Sequence, residues 1–310
     1  MRLKKITALF LTGALILSMA GCAGNGSKDK KEGSAGNEAQ EPVKIATKPM
    51  TEQFILGEML KKLIEEKAGY EVELTKGIGG GTSNIQPAME KGEFDLYPEY
   101  TSSGWILVLG HKAGEVSDDK MLAKLQEEYE EKFDMTWVGL YGQNNTYAVV
   151  VREDTAKKYN LETCSDLAAV SDQLVFGGNP DYIERADGLP GMSAAYGQCK
   201  EIKDIDIGLK YQALRNGDID VTNGYTTDAQ ISQDDVRALK DDKSYQVNYF
   251  CSTVVRKDAL EKYPKLKETL ELMDGILTDQ KMAELNYQVE EEGRDEAEVV
   301  EEFLKTSGLL

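Results

Sequence analysis

The chain has 310 residues, a formal net charge of −19 and 41% hydrophobic residues, a composition that fits one large globular domain or two smaller ones. The acidic balance provides no basic surface for a phosphate backbone, which excludes nucleic acid as a partner. A single histidine, His111, excludes histidine-based catalytic triads unless His111 itself serves, and no cysteine or histidine spacing matches a zinc site. We therefore expect no metal and no cofactor.

The first 42 residues have the pattern of an export signal followed by a tether. Residues 6–21 are apolar but too short to span a membrane comfortably, and residues 19–22 read Met-Ala-Gly-Cys. This pattern resembles a bacterial lipoprotein signal that is cut before Cys22, whose thiol would then carry lipid. The alternative is an ordinary signal peptide with an incidental cysteine. Residues 23–42 are polar and rich in Gly and Ser, so they predict a disordered tether. We expect residues 1–22 to be the lipoprotein signal peptide and its lipidated cysteine, and the protein to be extracytoplasmic and anchored to the cell membrane through the lipid on Cys22.

Three further cysteines follow, at positions 164, 199 and 251. An exported protein can form disulfides. One disulfide with one cysteine left over and three free, buried thiols are both compatible with the sequence.

Hydrophobic periodicity from residue 43 onward predicts alternating strands and helices, which is typical of an α/β fold. The predicted strands are Val43–Thr47, Tyr70–Thr75, Thr136–Leu140, Ala148–Val151, Leu174–Gly177 and Ile219–Val221. The predicted helices are Thr51–Gly69, Asn84–Lys91, Val116–Phe133, Thr155–Tyr159, Cys164–Val170, a short helix after Gly191, and three around Lys265–Met273, Gln280–Val289 and Arg294–Lys305.

One stretch occurs twice in similar form. Ala88–Gly104 reads AMEKGEFDLYPEYTSSG and Ala213–Ala229 reads ALRNGDIDVTNGYTTDA, so that Tyr100 matches Tyr225. Each copy predicts a short helix that ends in glycine, a short strand, and a Tyr-Thr pair just past the strand end. Ligands of open α/β sheets bind beyond the carboxyl ends of strands, so the two copies predict a cleft with facing aromatic walls. The alternative for each tyrosine is a half-buried core residue.

A surface hydrolase that uses carboxylates is the rival function. The acidic residues Asp95 and Asp220 lie within apolar strand runs, where we expect them to fix turns. No pair of nucleophile and base is visible in the sequence, so a binding protein is favoured over an enzyme.

Seven short motifs follow one another in order through residues 43–310. They are T-E-Q (residues 51–53), Y-P-E-Y-T (97–101), N-N-T-Y (144–147), E-R-A-D-G-L-P-G (184–191), G-Y-T-T-D (224–228), D-D-K (241–243) and L-N-Y (285–287). Together they resemble the substrate-binding lipoproteins of osmoprotectant ABC importers, the glycine betaine/choline/carnitine family.

The resemblance implies an α/β, two-lobed periplasmic-binding-protein fold of type II, with a hinge and an interlobe ligand cleft. We expect residues 43–145 and 247–310 to form the first lobe and residues 146–246 the second. The implied function is capture of a quaternary ammonium osmoprotectant and delivery to the transmembrane subunits of an ABC permease. Another betaine-type solute, such as ergothioneine, is the alternative ligand of the same fold.

The resemblance also assigns the ligand site. It implies a tyrosine cage at Tyr100, Tyr147, Tyr225 and Tyr249, and a carboxylate-binding arginine at Arg185. Further ligand-binding candidates by motif position are Gln53, Thr101, Ser103 and Asn145. Ser103 replaces a threonine that is usual in the family, and Asn145 stands where some members have Asp. The alternative for Thr51–Gln53 is that these residues only cap a helix. The chemistry agrees, because a trimethylammonium group has no N–H and is held by ring faces, whereas a carboxylate suits the planar fork of arginine. The alternative for Arg185 is a structural ion pair.

Overall fold

The computed structural model describes residues 41–184, 188–206, 208–233 and 235–310. The signal peptide with Cys22, nearly all of the tether and Arg185 lie outside the described residues. The strands are β1 (Val43–Ala46), β2 (Val72–Thr75), β3 (Leu96–Tyr100), β4 (Met135–Val138), β5 (Tyr147–Arg152), β6 (Val175–Gly178), β7 (Glu201–Asp204), β8 (Val221–Tyr225), β9 (Val236–Leu239) and β10 (Cys251–Arg256).

The helices are α1 (Thr51–Leu63), α2 (Thr82–Glu90), α3 (Thr101–Ser103), α4 (Asp118–Phe133), α5 (Glu153–Tyr159), α6 (Cys164–Ala168), α7 (Pro180–Glu184), α8 (Leu189–Tyr196), α9 (Lys210–Asn216), α10 (Lys257–Lys262), α11 (Leu266–Leu270), α12 (Asp279–Glu290) and α13 (Glu296–Thr306). Wider π-helical turns follow α1 at Ile64–Ala68 and α3 at Gly104–Val108, and short 3₁₀ turns occur at Ser171–Gln173, Ala229–Ser232 and Glu271–Met273.

The strands form two five-stranded sheets with the same topology. The first sheet has the order β2-β1-β3-β10-β4 and the second has the order β7-β6-β8-β5-β9. In both sheets the first three strands are parallel, and the fourth runs antiparallel to its two neighbours. The duplicated stretch therefore supplies the central strand of each sheet.

The prediction that the Tyr-Thr pairs lie past the strand ends was wrong for the tyrosines. Tyr100 and Tyr225 are the last residues of β3 and β8. The strands extend this far because each tyrosine pairs with an antiparallel neighbour, Tyr100 with Cys251 and Tyr225 with Tyr147.

Three strands, β7, β9 and β10, were not predicted, and one helix begins earlier than predicted. Strand β10 does not show the hydrophobic pattern, because Ser252 and Thr253 in its interior are fully buried polar residues. Helix α8 begins at Leu189 rather than after Gly191, because Pro190 fits the first turn of a helix.

Both faces of the sheets are covered by apolar side chains. In the first sheet, Ile45 and Val255 join a cluster with α1 and the C-terminal helices, whereas Trp137 and Val254 belong to a cluster on α2 and α4. In the second sheet, Val149 and Val151 of β5 join one cluster and Ala148 and Val150 join another, and burial on both faces explains why β5 reads as a nearly continuous apolar run.

The two segments that connect the sheets run side by side. Asn144 forms an antiparallel bridge with Phe250, and the Asn145 N–H donates to the carbonyl of Tyr249 at 3.2 Å. The Thr146 hydroxyl donates to the carbonyl of Val247 at 2.6 Å. Short adjacent connections of this kind are where two packed bodies rotate relative to each other.

A second contact joins the two halves through α12. Its residues Met282 and Leu285 belong to the core of the first sheet. On its other side, the Asn286 amide donates to the carbonyl of Thr227 at 2.8 Å, and the 3₁₀ turn at Ala229–Ser232 packs along the helix. The halves are therefore joined at the connecting segments and along α12.

The three described cysteines are free thiols, and burial raises the pKa of Cys164 to about 12 and that of Cys199 to about 11. Within the described ranges, every helix is too short or too polar to cross a lipid bilayer.

Asp95 and Asp220 make equivalent bonds to a neighbouring strand. The Lys44 N–H donates to Asp95 Oδ2 at 2.8 Å, and the Val175 N–H donates to Asp220 Oδ2 at 2.9 Å. We predict that Asp95→Ala and Asp220→Ala each lose about 1–3 kcal/mol of unfolding free energy, because a half-buried N–H loses its acceptor. Urea denaturation measures the loss. Asp95→Asn retains an acceptor oxygen and should lose less; equal losses for Asn and Ala would show that this bond contributes nothing.

Candidate functional site

A cavity of about 720 Å³ opens between the two sheets, at the edge where β3 and β8 end. Its walls come from both halves of the chain: Ser102, Trp105, Ala113, Gly114, Val116, Ser117, Asp118 and Met121 on one side, and Tyr147, Ser244, Tyr245, Gln246, Val247, Asn248 and Tyr249 from the second half and the return connection. Two of the four predicted cage tyrosines, Tyr147 and Tyr249, thus face this cavity.

Three tyrosine rings pack against one another beside the second sheet. Tyr147 and Tyr225 are partners across the β5–β8 pair, and their rings stack with centroids 5.1 Å apart and planes at 24°. Tyr182, from α7, lies edge-on to Tyr147 at 5.0 Å. Because Tyr147 and Tyr225, two of the predicted cage tyrosines, lie side by side, they do not face each other across the cleft.

Tyr100 stands at the corresponding position of the first sheet. It is 5% exposed, and its hydroxyl donates to Glu52 Oε1 at 2.7 Å. The ammonium of Lys48 lies 4.5 Å from the centroid of its ring. One face of Tyr100 is therefore already covered by a cation of the protein.

Glu52 links Tyr100 to the connecting segment. Its Oε1 also accepts a hydrogen bond from the Asn145 amide at 3.2 Å. Burial raises the pKa of the Glu52 carboxyl, and nearby Thr227, Tyr100, Asn145 and Asn286 offset this only in part by hydrogen bonding. A buried carboxyl with a raised pKa, held between both halves of the chain, is typical of a functional site.

The other predicted residues lie around this framework. Thr101 is buried, and its N–H donates to the carbonyl of Phe250 at 2.9 Å. Ser103 is half-buried at the end of α3. The Tyr249 N–H donates to Asn144 Oδ1 at 2.7 Å. Gln53 is fully buried and accepts from the Lys48 N–H at 3.4 Å, so it lies below the site rather than at its surface.

Sequence reasoning missed Glu52 and Tyr182 as members of this cluster. Glu52 lies in the T-E-Q motif, but the motif alone does not tell which side chain of a helix start faces the sheet edge. Tyr182 comes shortly before the motif that contains Arg185, and that nearness was the available signal. Among residues 41–184, 188–206, 208–233 and 235–310, no cluster of three or more His, Cys, Asp or Glu side chains is arranged to hold a metal ion.

Comparison with known proteins identifies the family. Residues 41–306 match the family described as the substrate-binding domain of ABC-type glycine betaine transport systems. The chain belongs to this family. Members are solute-binding components of transporters, so the prediction of a binding protein rather than an enzyme is confirmed, and a surface hydrolase is excluded.

Individual relatives span much of the chain. The ergothioneine transport permease/ergothioneine binding protein EgtU of Helicobacter pylori is 40% identical over 87% of this chain, which spans 48% of that relative's length. The carnitine transport binding protein OpuCC of Listeria monocytogenes is 36% identical over 97% of this chain and 96% of its own length.

A crystal structure of a glycine betaine/carnitine/choline ABC transporter protein superimposes with a TM-score of 0.81 at 34% identity, covering 86% of this chain and 99% of that one. The predicted fold class, a type II periplasmic-binding-protein fold, is confirmed. The chain is thus a substrate-binding protein of the ABC-type glycine betaine transport family.

The burial of Glu52 predicts a specific pH dependence. Because its pKa is raised in the folded protein, the fold favours the protonated form, and stability falls as pH rises from 4.5 through the raised value. We predict that Glu52→Gln raises the melting temperature at pH 7 by about 2–4 °C for each kcal/mol regained, and that the difference vanishes below pH 4.5. Thermal unfolding across this pH range measures it.

The exposed Glu131→Gln on α4 is the matched control and should give no such pH-dependent difference. A gain for Glu52→Gln that is the same at every pH would show that its charge is not the cause.

Proposed function

We propose that this protein captures a quaternary ammonium betaine in a tyrosine cage outside the cytoplasmic membrane and delivers it to the transmembrane subunits of an ABC permease. The observation that carries the proposal is the position of the two matching tyrosines of the duplicated stretch. Tyr100 and Tyr225 end the central strands of the two sheets. Neither lines the cavity itself, but Ser102, two residues after Tyr100, and Tyr147, the strand partner of Tyr225, both do.

The cage comprises Tyr100, Tyr147, Tyr225 and Tyr249. The stacked pair Tyr147–Tyr225 offers one wall, and Tyr249 faces the same cavity from the return connection. A trimethylammonium group has methyl groups that carry its positive charge, so it binds to ring faces at about 0.5–2 kcal/mol per contact. Tyr182, packed edge-on against Tyr147, holds the wall in place from behind.

The carboxylate end of the ligand would bind Arg185, which matches by motif position a carboxylate-binding arginine of the family. A guanidinium offers two parallel N–H donors that match the two oxygens of a carboxylate. Gln53, Thr101, Ser103 and Asn145 complete the proposed set: Asn145 acts through its bond to Glu52, and Gln53 supports the site from the core.

The remaining assignments concern location and movement. We place the lobe boundaries between residues 145 and 146 and between residues 246 and 247, so that the paired connecting segments act as the hinge. A lipid on Cys22 and the tether at residues 23–42 would hold the binding protein near its permease at the membrane.

An ergothioneine-like ligand is the second candidate, and Glu52 favours it. Ergothioneine is a betaine that also carries an imidazole-type ring with N–H donors, and a buried carboxyl beside the cage is a suitable acceptor for such a donor. The relative that is named for ergothioneine transport is 40% identical. Glycine betaine has neither an N–H nor an O–H donor for Glu52, and choline and carnitine have only a hydroxyl.

We predict that a quaternary ammonium ligand stabilises the purified protein. A ligand that binds only the folded state adds about 2.7 kcal/mol at 100 times its Kd. A thermal-shift panel of glycine betaine, carnitine, choline and ergothioneine, with amino acids as controls, measures this. Stabilisation by an unrelated solute and by none of these four would contradict the proposed ligand class.

We predict that Tyr225→Phe binds the ligand nearly as well as wild type, whereas Tyr225→Leu loses about five- to thirtyfold in affinity, because Phe keeps the ring face and Leu removes it. Calorimetry with the ligand from the panel measures both. Arg185→Ala should weaken a betaine more than choline, which has no carboxylate.

Tyr159→Leu is the control for loss of a tyrosine ring in the same half of the chain. Tyr159 lies on α5, away from the strand ends, and packs against the core of the second sheet. Its replacement should leave affinity unchanged. If Tyr225→Phe and Tyr225→Leu lose equally, the hydroxyl or the packing holds the ligand, and the cage assignment fails.

A further inference from the structure

A buried ion pair lies directly behind Tyr100. Lys48 is 7% exposed and forms a salt bridge with Glu99, which is 0% exposed. Glu99 Oε1 accepts the Tyr100 N–H at 2.6 Å, and its Oε2 accepts the Thr82 hydroxyl at 2.7 Å. The carboxylate is thus held at the backbone of Tyr100, while the ammonium lies over the Tyr100 ring, 4.5 Å from its centroid.

The second half of the chain repeats this arrangement beside Tyr225. Lys210 is 4% exposed, and its ammonium lies 3.5 Å from Asp228 Oδ2. The same oxygen accepts the Tyr225 N–H at 3.0 Å and the Tyr211 hydroxyl at 2.6 Å. The Lys210 ammonium lies 5.1 Å from the Tyr211 ring and 5.8 Å from the Tyr225 ring.

Tyr100 and Tyr225, the matching tyrosines of the duplicated stretch, therefore share one feature of their surroundings. In each case a carboxylate accepts the tyrosine's own N–H and pairs with a buried lysine near the tyrosine's ring. The lysines come from different elements: Lys48 lies between β1 and α1, and Lys210 begins α9. The same pairing of a lysine with a carboxylate thus occurs beside both tyrosines, although the two lysines come from different elements. This indicates that the cation near the ring has a role beyond the folding of one loop.

A cation on one ring face weakens the attraction of a second cation for the opposite face, because both compete for the same π electrons. Inside a protein, charges that lie about 10 Å apart still interact appreciably, since screening there is weaker than in water. Each pair has no net charge, but its ammonium lies at the ring while its carboxylate lies at the tyrosine N–H. The positive end of each pair therefore disfavours a ligand with a net positive charge and attracts the negative group of a zwitterion.

We propose that Lys48 with Glu99, and Lys210 with Asp228, are specificity-determining pairs that make the site prefer zwitterionic betaines over ligands with a net positive charge. This inference rests on the proposed function, because it assumes that Tyr100 and Tyr225 face the ligand. The pairs act through the tyrosines and do not contact the ligand.

The test compares one betaine with its own methyl ester, which keeps the trimethylammonium group and loses the negative charge. The wild type is titrated first with glycine betaine, carnitine and ergothioneine, and the tightest binder is used with its methyl ester; ester affinities are measured by competition. Lys48→Met should shift the ratio of affinities about three- to tenfold toward the ester. Glu99→Gln leaves the ammonium uncompensated and should shift the ratio toward the betaine by a smaller factor, because the carboxylate is held at the backbone of Tyr100 and not over its ring.

Two further variants separate charge from packing. Lys48→Arg keeps the charge and should keep the wild-type ratio. The double variant Lys48→Met/Glu99→Gln replaces the buried pair with neutral side chains of similar volume, which proteins commonly tolerate. Its ratio should stay shifted toward the ester relative to the wild type, by less than in Lys48→Met alone, and a wild-type ratio would overturn the proposal. Lys210→Met and Asp228→Asn give the same opposite-sign test in the second half if a variant of the first pair does not fold.

Shifts of opposite sign for the cation and anion variants support the proposal. Shifts of the same sign, or unchanged ratios with altered melting temperatures, overturn it and leave both pairs with a structural role only. If the wild type binds none of the three betaines, the proposed function itself fails, and the inference fails with it.

Discussion

Each sheet contains one interior strand that the chain supplies only after crossing from the other half. Strand β10 lies between β3 and β4 but follows the whole second sheet in sequence, and β5 enters the second sheet directly after the first crossing. The first sheet is therefore incomplete until residues 251–256 arrive. This constraint brings the two connecting segments together, and it fixes the last residue of each central strand, because Tyr100 pairs with Cys251 and Tyr225 with Tyr147.

The duplicated stretch was the part of the fold that the sequence predicted best. Its glycine, its apolar strand and its tyrosine are local features, and local features are what sequence patterns report. They located the central strands β3 and β8 and the edge at which both end. Asp95 and Asp220, which were expected to fix turns, instead each bind the N–H of a neighbouring strand, a long-range bond that no local pattern encodes.

The rest of the site depends on contacts between distant residues. No role for Lys48 could be predicted from the sequence, because its partner Glu99 and the Tyr100 ring lie on β3, far from Lys48 in the chain. Glu52 and Gln53 are neighbours in one motif, yet one reaches Tyr100 while the other enters the core, and the direction of a side chain at a helix start depends on packing. Strand β10 was missed because buried Ser252 and Thr253 break its apolar run.

The contact between α12 and the turn at Ala229–Ser232 restricts how the halves can move. A rotation that preserves both the bond from Asn286 to Thr227 and the pairing of the connecting segments must have its axis close to both contacts. Displacement grows with distance from an axis, as in a lever. The cavity that contains Trp105 and Tyr245 is not lined by α12, and with the proposed hinge the part of its rim away from the connecting segments would move most. A solute would then enter and leave along that part of the rim.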